Sequence, residues 1–114
     1  MFGRYTLSLG RIYDTVVIRE GGTSLTLHVN ADPNRMVIGL GQAQKQLTAI
    51  DEGTTEEELK TAAMNFGGVI FGDEQAQKLL DYYHGDAGCV VSVCGKYFTD
   101  RLRKKITRAQ KRKA

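Results

Sequence analysis

Residues 71–106, FGDEQAQKLLDYYHGDAGCVVSVCGKYFTDRLRKKI, decide the fold. Apolar residues recur there at helical spacing between clear start and stop signals, which predicts two helices joined by a tight turn. Phe71-Gly72 ends whatever precedes, Asp73 stands where a helix cap belongs, and Ala76, Leu79, Leu80 and Tyr83 share one face. His84-Gly85 can close that helix, and Asp86 then caps the next. The last helix gathers Val90, Val91, Cys94, Tyr97, Phe98, Leu102 and Ile106 on one broad face, with Lys96, Asp100, Arg103 and Lys104 pointing away. No part of the stretch is arranged as a reaction centre.

Upstream, Thr54-Thr55-Glu56-Glu57-Glu58 is a capping box with an acidic first turn. It opens a helix whose buried face is Leu59, Ala62, Ala63, Phe66, Val69 and Ile70, with a kink or a close crossing expected at Gly67-Gly68. Before it, Asp32 caps a helix with Pro33 in its first turn. Met36, Leu40, Ala43, Leu47 and Ile50 then repeat with a spacing two helices can share. Gly39 and Gly41 weaken that helix by about 1 kcal/mol each unless something packs closely there. Val16, Val17 and Ile18 form a β-branched run, Gly21-Gly22 breaks it, and Leu25, Leu27 and Val29 alternate with polar residues, so residues 12–29 read as a hairpin turning over residues 20–23, while Tyr5, Leu7 and Leu9 suggest a third strand over residues 4–9. A lone hairpin is marginal in water, so it must lie on the helices. The expected fold is therefore α+β, an N-terminal hairpin or small antiparallel sheet followed by about four helices near residues 33–50, 55–71, 74–84 and 87–106. This makes one domain over residues 1–106, and the basic residues 107–114 read as a frayed tail.

Composition sets the outer bounds. With 41% hydrophobic and 25% charged residues the chain is neither disordered throughout nor rich enough in apolar runs to supply the roughly 20 residues a membrane span needs. Residues 1–10 carry Arg4 but no apolar block or small-residue cleavage site, so the expected compartment is the cytoplasm. Cys89 and Cys94 sit on one predicted helix about 140° apart around its axis, too divergent to bridge each other, as suits a reducing compartment. The charge is lopsided. The first 100 residues hold eight basic and thirteen acidic side chains, whereas the last fourteen hold Arg101, Arg103, Lys104, Lys105, Arg108, Lys111, Arg112 and Lys113 and no acid.

Each constellation with side chains capable of chemistry has a plainer reading. His84 lies near Asp81 and Asp86 in a turn, and a metal site from His84, Asp86 and Cys89 lacks a fourth ligand and a regular spacing. Gly39-Leu40-Gly41-Gln42 lies inside a helical stripe without the Gly-Lys-Ser/Thr ending of a phosphate loop. Tyr83, Tyr97 and Phe98 are large enough to stack on bases, yet their spacing puts them on inner faces. Gln42-Ala43-Gln44-Lys45 recurs at Gln75-Ala76-Gln77-Lys78, but the intervening residues do not match, so no repeat is read. The expectation is a protein without catalytic residues, cofactor or metal. The basic end is the feature with functional pull, toward nucleic-acid phosphates or toward an acidic protein.

Taken together, the hairpin, the Glu-rich second helix, VIFGDEQAQKLLDYYHGD and the closing YFTDRLRKKI resemble the tail assembly chaperones of long-tailed bacteriophages, in versions from Gram-positive hosts. The likeness is clearest over residues 69–106 and covers roughly two thirds of the chain; its motif is a pattern of packing residues. It implies a non-enzymatic role in the host cytoplasm. Such a protein coats the tape measure protein, associates with itself along it, and is absent from the mature virion. It also implies a longer, frameshifted form that recruits the tail tube protein. A tape measure helix exposes an apolar stripe that a small helical domain can cover. On this chain Met36, Leu40, Ala43 and Leu47, or the face around Leu79 and Tyr83, would supply the seam, although ordinary packing accounts for most of these residues. The alternatives are a nucleic-acid-binding accessory protein and a permanent virion component such as a tail-completion or connector subunit.

Overall fold

Gly21 and Gly22 both take positive φ, 53° and 82°, the conformation that a two-residue hairpin loop requires. They join β1 (Ile12–Glu20) to β2 (Thr23–Ala31) in an antiparallel pair, with Glu20 opposite Thr23 and Ile12 opposite Ala31. The structure, a computed structural model, describes residues 10–113, and the strand expected over residues 4–9 lies outside the described residues. Ile12, Val16 and Ile18 alternate inward beside Leu25, Leu27 and Val29, while Tyr13, Thr15, Val17 and Arg19 face out. The hairpin thereby presents one apolar face to the helices.

Those helices are α1 (Pro33–Thr48), α2 (Glu56–Phe71), α3 (Asp73–Tyr82), α4 (Ala87–Tyr97) and α5 (Arg103–Lys113). A π turn over Phe98–Leu102 joins α4 and α5 into one rod, so four helical bodies follow the sheet and the fold is α+β. Local chemistry sets most boundaries. The Asp32 side chain accepts from the Asn34 N–H with Pro33 in the first turn, and Thr55 and Glu58 exchange both bonds of a capping box. The Gly85 N–H reaches back to the Leu80 carbonyl at 2.9 Å with His84 at φ 56°, closing α3, and Asp86 caps α4 at the Cys89 N–H. Asp73 is not a cap. Gly72, at φ 89°, fills that place, and Asp73 sits in the first turn of α3, where its charge suits the positive helix end.

The second helix is the centre of the bundle, touching α1, α3, α4 and β2. Its glycine pair works by close approach: a Cβ at Gly67 would lie 3.1 Å from that of Ala76 on α3. Gly39 does the same between α1 and α2, where a Cβ would lie 2.9 Å from both methyls of Val69. The frayed tail is corrected. Ala109 is buried and packs in the core with Ile106, so helix continues through Lys113. The small Ala109 extends the apolar stripe past the point where larger residues stop.

The stripe on the last rod runs Val90, Cys94, Tyr97, Leu102, Ile106, Ala109, with one interval of five. Regular α-helix would swing Leu102 away from Tyr97 by about 140°. In the π turn the Arg103 N–H bonds to the Phe98 carbonyl, taking up one extra residue so that both halves of the stripe face the core.

Candidate functional site

The residues expected to form a partner-binding seam divide between core and surface. Met36, Ala43 and Leu79 are buried in the main cluster and are not available to a partner in this packing. Tyr83 is half-buried and braces the hairpin tip, its hydroxyl donating to Glu20 Oε1 at 3.2 Å. Burial and the Glu20 carboxylate push that hydroxyl up to about 12. Leu40 and Leu47 behave differently: both are half-buried and form one wall of an open groove.

The groove holds about 470 Å³ between α1 and α5. Val37, Leu40, Gly41 and Leu47 make the α1 wall, Phe66 and Phe98 line it from α2 and the π turn, and Arg103, Ile106 and Thr107 form the α5 wall. Val37 is 42% exposed and its neighbour Ile38 64%, so an apolar strip runs over the α1 lip. Gly41 leaves the trough open; a Cβ there meets no atom within 4 Å. The π turn places Phe98 here. Tyr97 faces the hairpin and stacks on Phe71 at 5.8 Å, while Phe98, one residue on, lines the groove. Side chains that sequence spacing assigns to one broad face thus serve two surfaces.

The basic residues also divide. Arg101 Nη2 bonds Asp14 Oδ1 at 2.8 Å, and Lys105 Nζ reaches the Tyr13 carbonyl oxygen at 3.4 Å, so two cations hold the hairpin. Arg103, Lys104, Arg108 and Lys111 are exposed. The side chains of Arg112 and Lys113 lie outside the described residues.

Asp14 is the polar contact that sequence spacing conceals. It occupies an inward position of β1, its side chain only 7% exposed, and accepts from the Tyr97 hydroxyl at 2.7 Å as well as from Arg101 and the Thr15 N–H. Burial, with the Asp14 carboxylate beside it, raises the Tyr97 hydroxyl above its usual range, so it remains a donor at ordinary pH. The signal was present: one carboxylate among the inward-alternating Ile12, Val16 and Ile18. A second brace is Gln75, whose side-chain amide accepts from the His28 N–H at 2.8 Å and donates to the His28 carbonyl at 2.6 Å. It occupies the edge of β2 as a neighbouring strand would.

Among the described residues no group of three His, Cys, Asp or Glu side chains is placed to hold a metal ion, and no helix is long and apolar enough to cross a membrane. Cys89 is half-buried and Cys94 buried, both as free thiols. Burial pushes the Cys94 thiol up to about 12. A raised value means the neutral thiol favours the fold fully below its ordinary range, a contribution lost as pH climbs through the raised value. Alkylation at mildly alkaline pH, read by mass spectrometry, should therefore spare Cys94 in the native chain and modify it in denaturant. Comparison with protein-family models, with curated proteins and with solved structures gives no match.

Proposed function

We propose that the chain is a non-enzymatic helix-binding protein, a tail assembly chaperone of a long-tailed phage or prophage that keeps the tape measure protein in solution during tail assembly. The groove between α1 and α5 is the observation that carries this reading. An apolar trough between two helices offers a seat for a third, which would dock side chains at i, i+3, i+4 and i+7 against Leu40, Leu47 and Phe98. The identity of the partner rests on the resemblance over residues 69–106. On this reading the protein acts in the host cytoplasm, lines up in several copies along the partner, and departs before the virion is complete.

The test is co-expression with the tape measure protein of the same genome, followed by affinity capture and size-exclusion chromatography at high salt. Apolar contacts survive screening, so several copies should co-elute with each long chain. Elution alone, or with nucleic acid that is released as salt rises, would overturn the reading and favour the nucleic-acid alternative.

A further inference from the structure

We infer that the partner helix seated in the groove is acidic along its flanks, selected by a cationic lip that α5 sets beside the apolar seat. This inference rests on the helix-binding reading and adds the chemistry of the partner. Neither wall helix contains a carboxylate: α1 carries Arg35 and Lys45, and α5 is RKKITRAQKRK. At about 100° of rotation per residue, Leu102, Ile106 and Ala109 occupy the core side of α5, and Arg103, Ile106 and Thr107 face the groove. Lys104, Arg108 and Lys111 fall on the next strip outward, all exposed. Arg101 and Lys105 lie on the opposite side, against the hairpin. The π-turn carboxylate of Asp100 is engaged by Lys96 at 3.0 Å.

The cations are thus sorted by function around one helix. One side fastens the hairpin, and the other borders an apolar trough with like charges that have no carboxylate on either wall. A partner offering leucines to the trough and carboxylates to the lip would relieve that repulsion, while a lysine-flanked helix would add to it. A nucleic acid would also meet the lip, but it would leave Leu40, Leu47 and Phe98 uncovered.

The experiment titrates two fluorescent amphipathic helical peptides against the full chain at low and high salt. The peptides share one leucine seam; one is flanked by Glu, the other by Lys. The Glu peptide should bind tighter by about tenfold at low salt, a gap of about 1.4 kcal/mol. Near 1 M salt, where charges are screened beyond about 3 Å, the gap should close while seam-driven binding persists. In the chain carrying Arg103→Glu and Lys111→Glu, both exposed positions, the preference should shrink or reverse. Equal binding of the two peptides at low salt would overturn the acidic assignment and leave the groove reading standing. Binding of neither would overturn the groove reading itself. A DNA duplex that displaces the Glu peptide and outbinds it would overturn the assignment in favour of nucleic acid.

Discussion

Deleting Thr99 should leave the fold intact, whereas deleting Ser92, another exposed residue on the same rod, should unfold much of it. The contrast follows from the π turn. Tyr97 and Leu102 are five residues apart and both buried, and the turn over Phe98–Leu102 absorbs the extra residue. Without Thr99 the interval becomes four, which regular α-helix satisfies, so Leu102, Ile106 and Ala109 keep their places. No such slack exists in α4. Removing Ser92 rotates one half of the rod against the other by about 100°. If the π turn instead unwinds to absorb the loss, Gly95 and Phe98 arrive where Cys94 and Tyr97 had packed. Losing the buried Cys94 side chain and the Tyr97 hydroxyl bond to Asp14 costs about 1–3 kcal/mol each, a large part of the roughly 5–15 kcal/mol that holds a domain together. Thermal unfolding followed by circular dichroism reads both variants. Equal losses would show that the π turn is not what aligns the two halves.

Asp14→Ala should destabilise the chain by about 2 kcal/mol, because it strips the Tyr97 hydroxyl and the Thr15 N–H of their shared acceptor. The Arg101 side chain is more than half exposed, so its ion pair is a smaller part of the effect. The informative result is a double-variant cycle. With Asp14 gone the Tyr97 hydroxyl has lost that bond, so adding Tyr97→Phe should cost much less than it does in the unchanged chain. Chemical denaturation of the four proteins gives the coupling directly. Strict additivity would mean that the carboxylate and the hydroxyl do not act as a pair.

What the sequence disclosed was mostly short-range. Asp32 with Pro33, Thr55 with Glu58, and His84-Gly85 followed by Asp86 each satisfy helix ends within a few residues, so their spacing suffices to read them. The hairpin is legible for the same reason, since Gly21-Gly22 marks its turn and the alternation of Leu25, Leu27 and Val29 marks its inner face. Four features depend on distant partners and were not legible. Asp14 meets Tyr97 and Arg101 from opposite ends of the chain, and the sense of the charged tail changes once two of its cations are committed to the hairpin. The seam on α1 has the right period, yet period alone does not tell Met36 and Ala43, which are buried in the core, from Leu40 and Leu47, which border the groove. The π turn was hidden because Tyr97, Phe98 and Leu102 all fit an apolar face, and only packing shows which of them the core takes.

Gly41→Phe tests the groove as the binding face most directly, because it separates binding from stability. A Cβ at Gly41 meets open space, and replacing glycine inside a helix removes a penalty of about 0.5–1 kcal/mol, so the variant should unfold no earlier than the unchanged chain. Its phenyl ring would occupy the trough that a partner helix needs. Co-expressed with the proposed partner, the tape measure protein, and purified at high salt, the variant should remain folded and elute without it. Retention of the long chain at the original stoichiometry, with the groove plugged, would contradict the account.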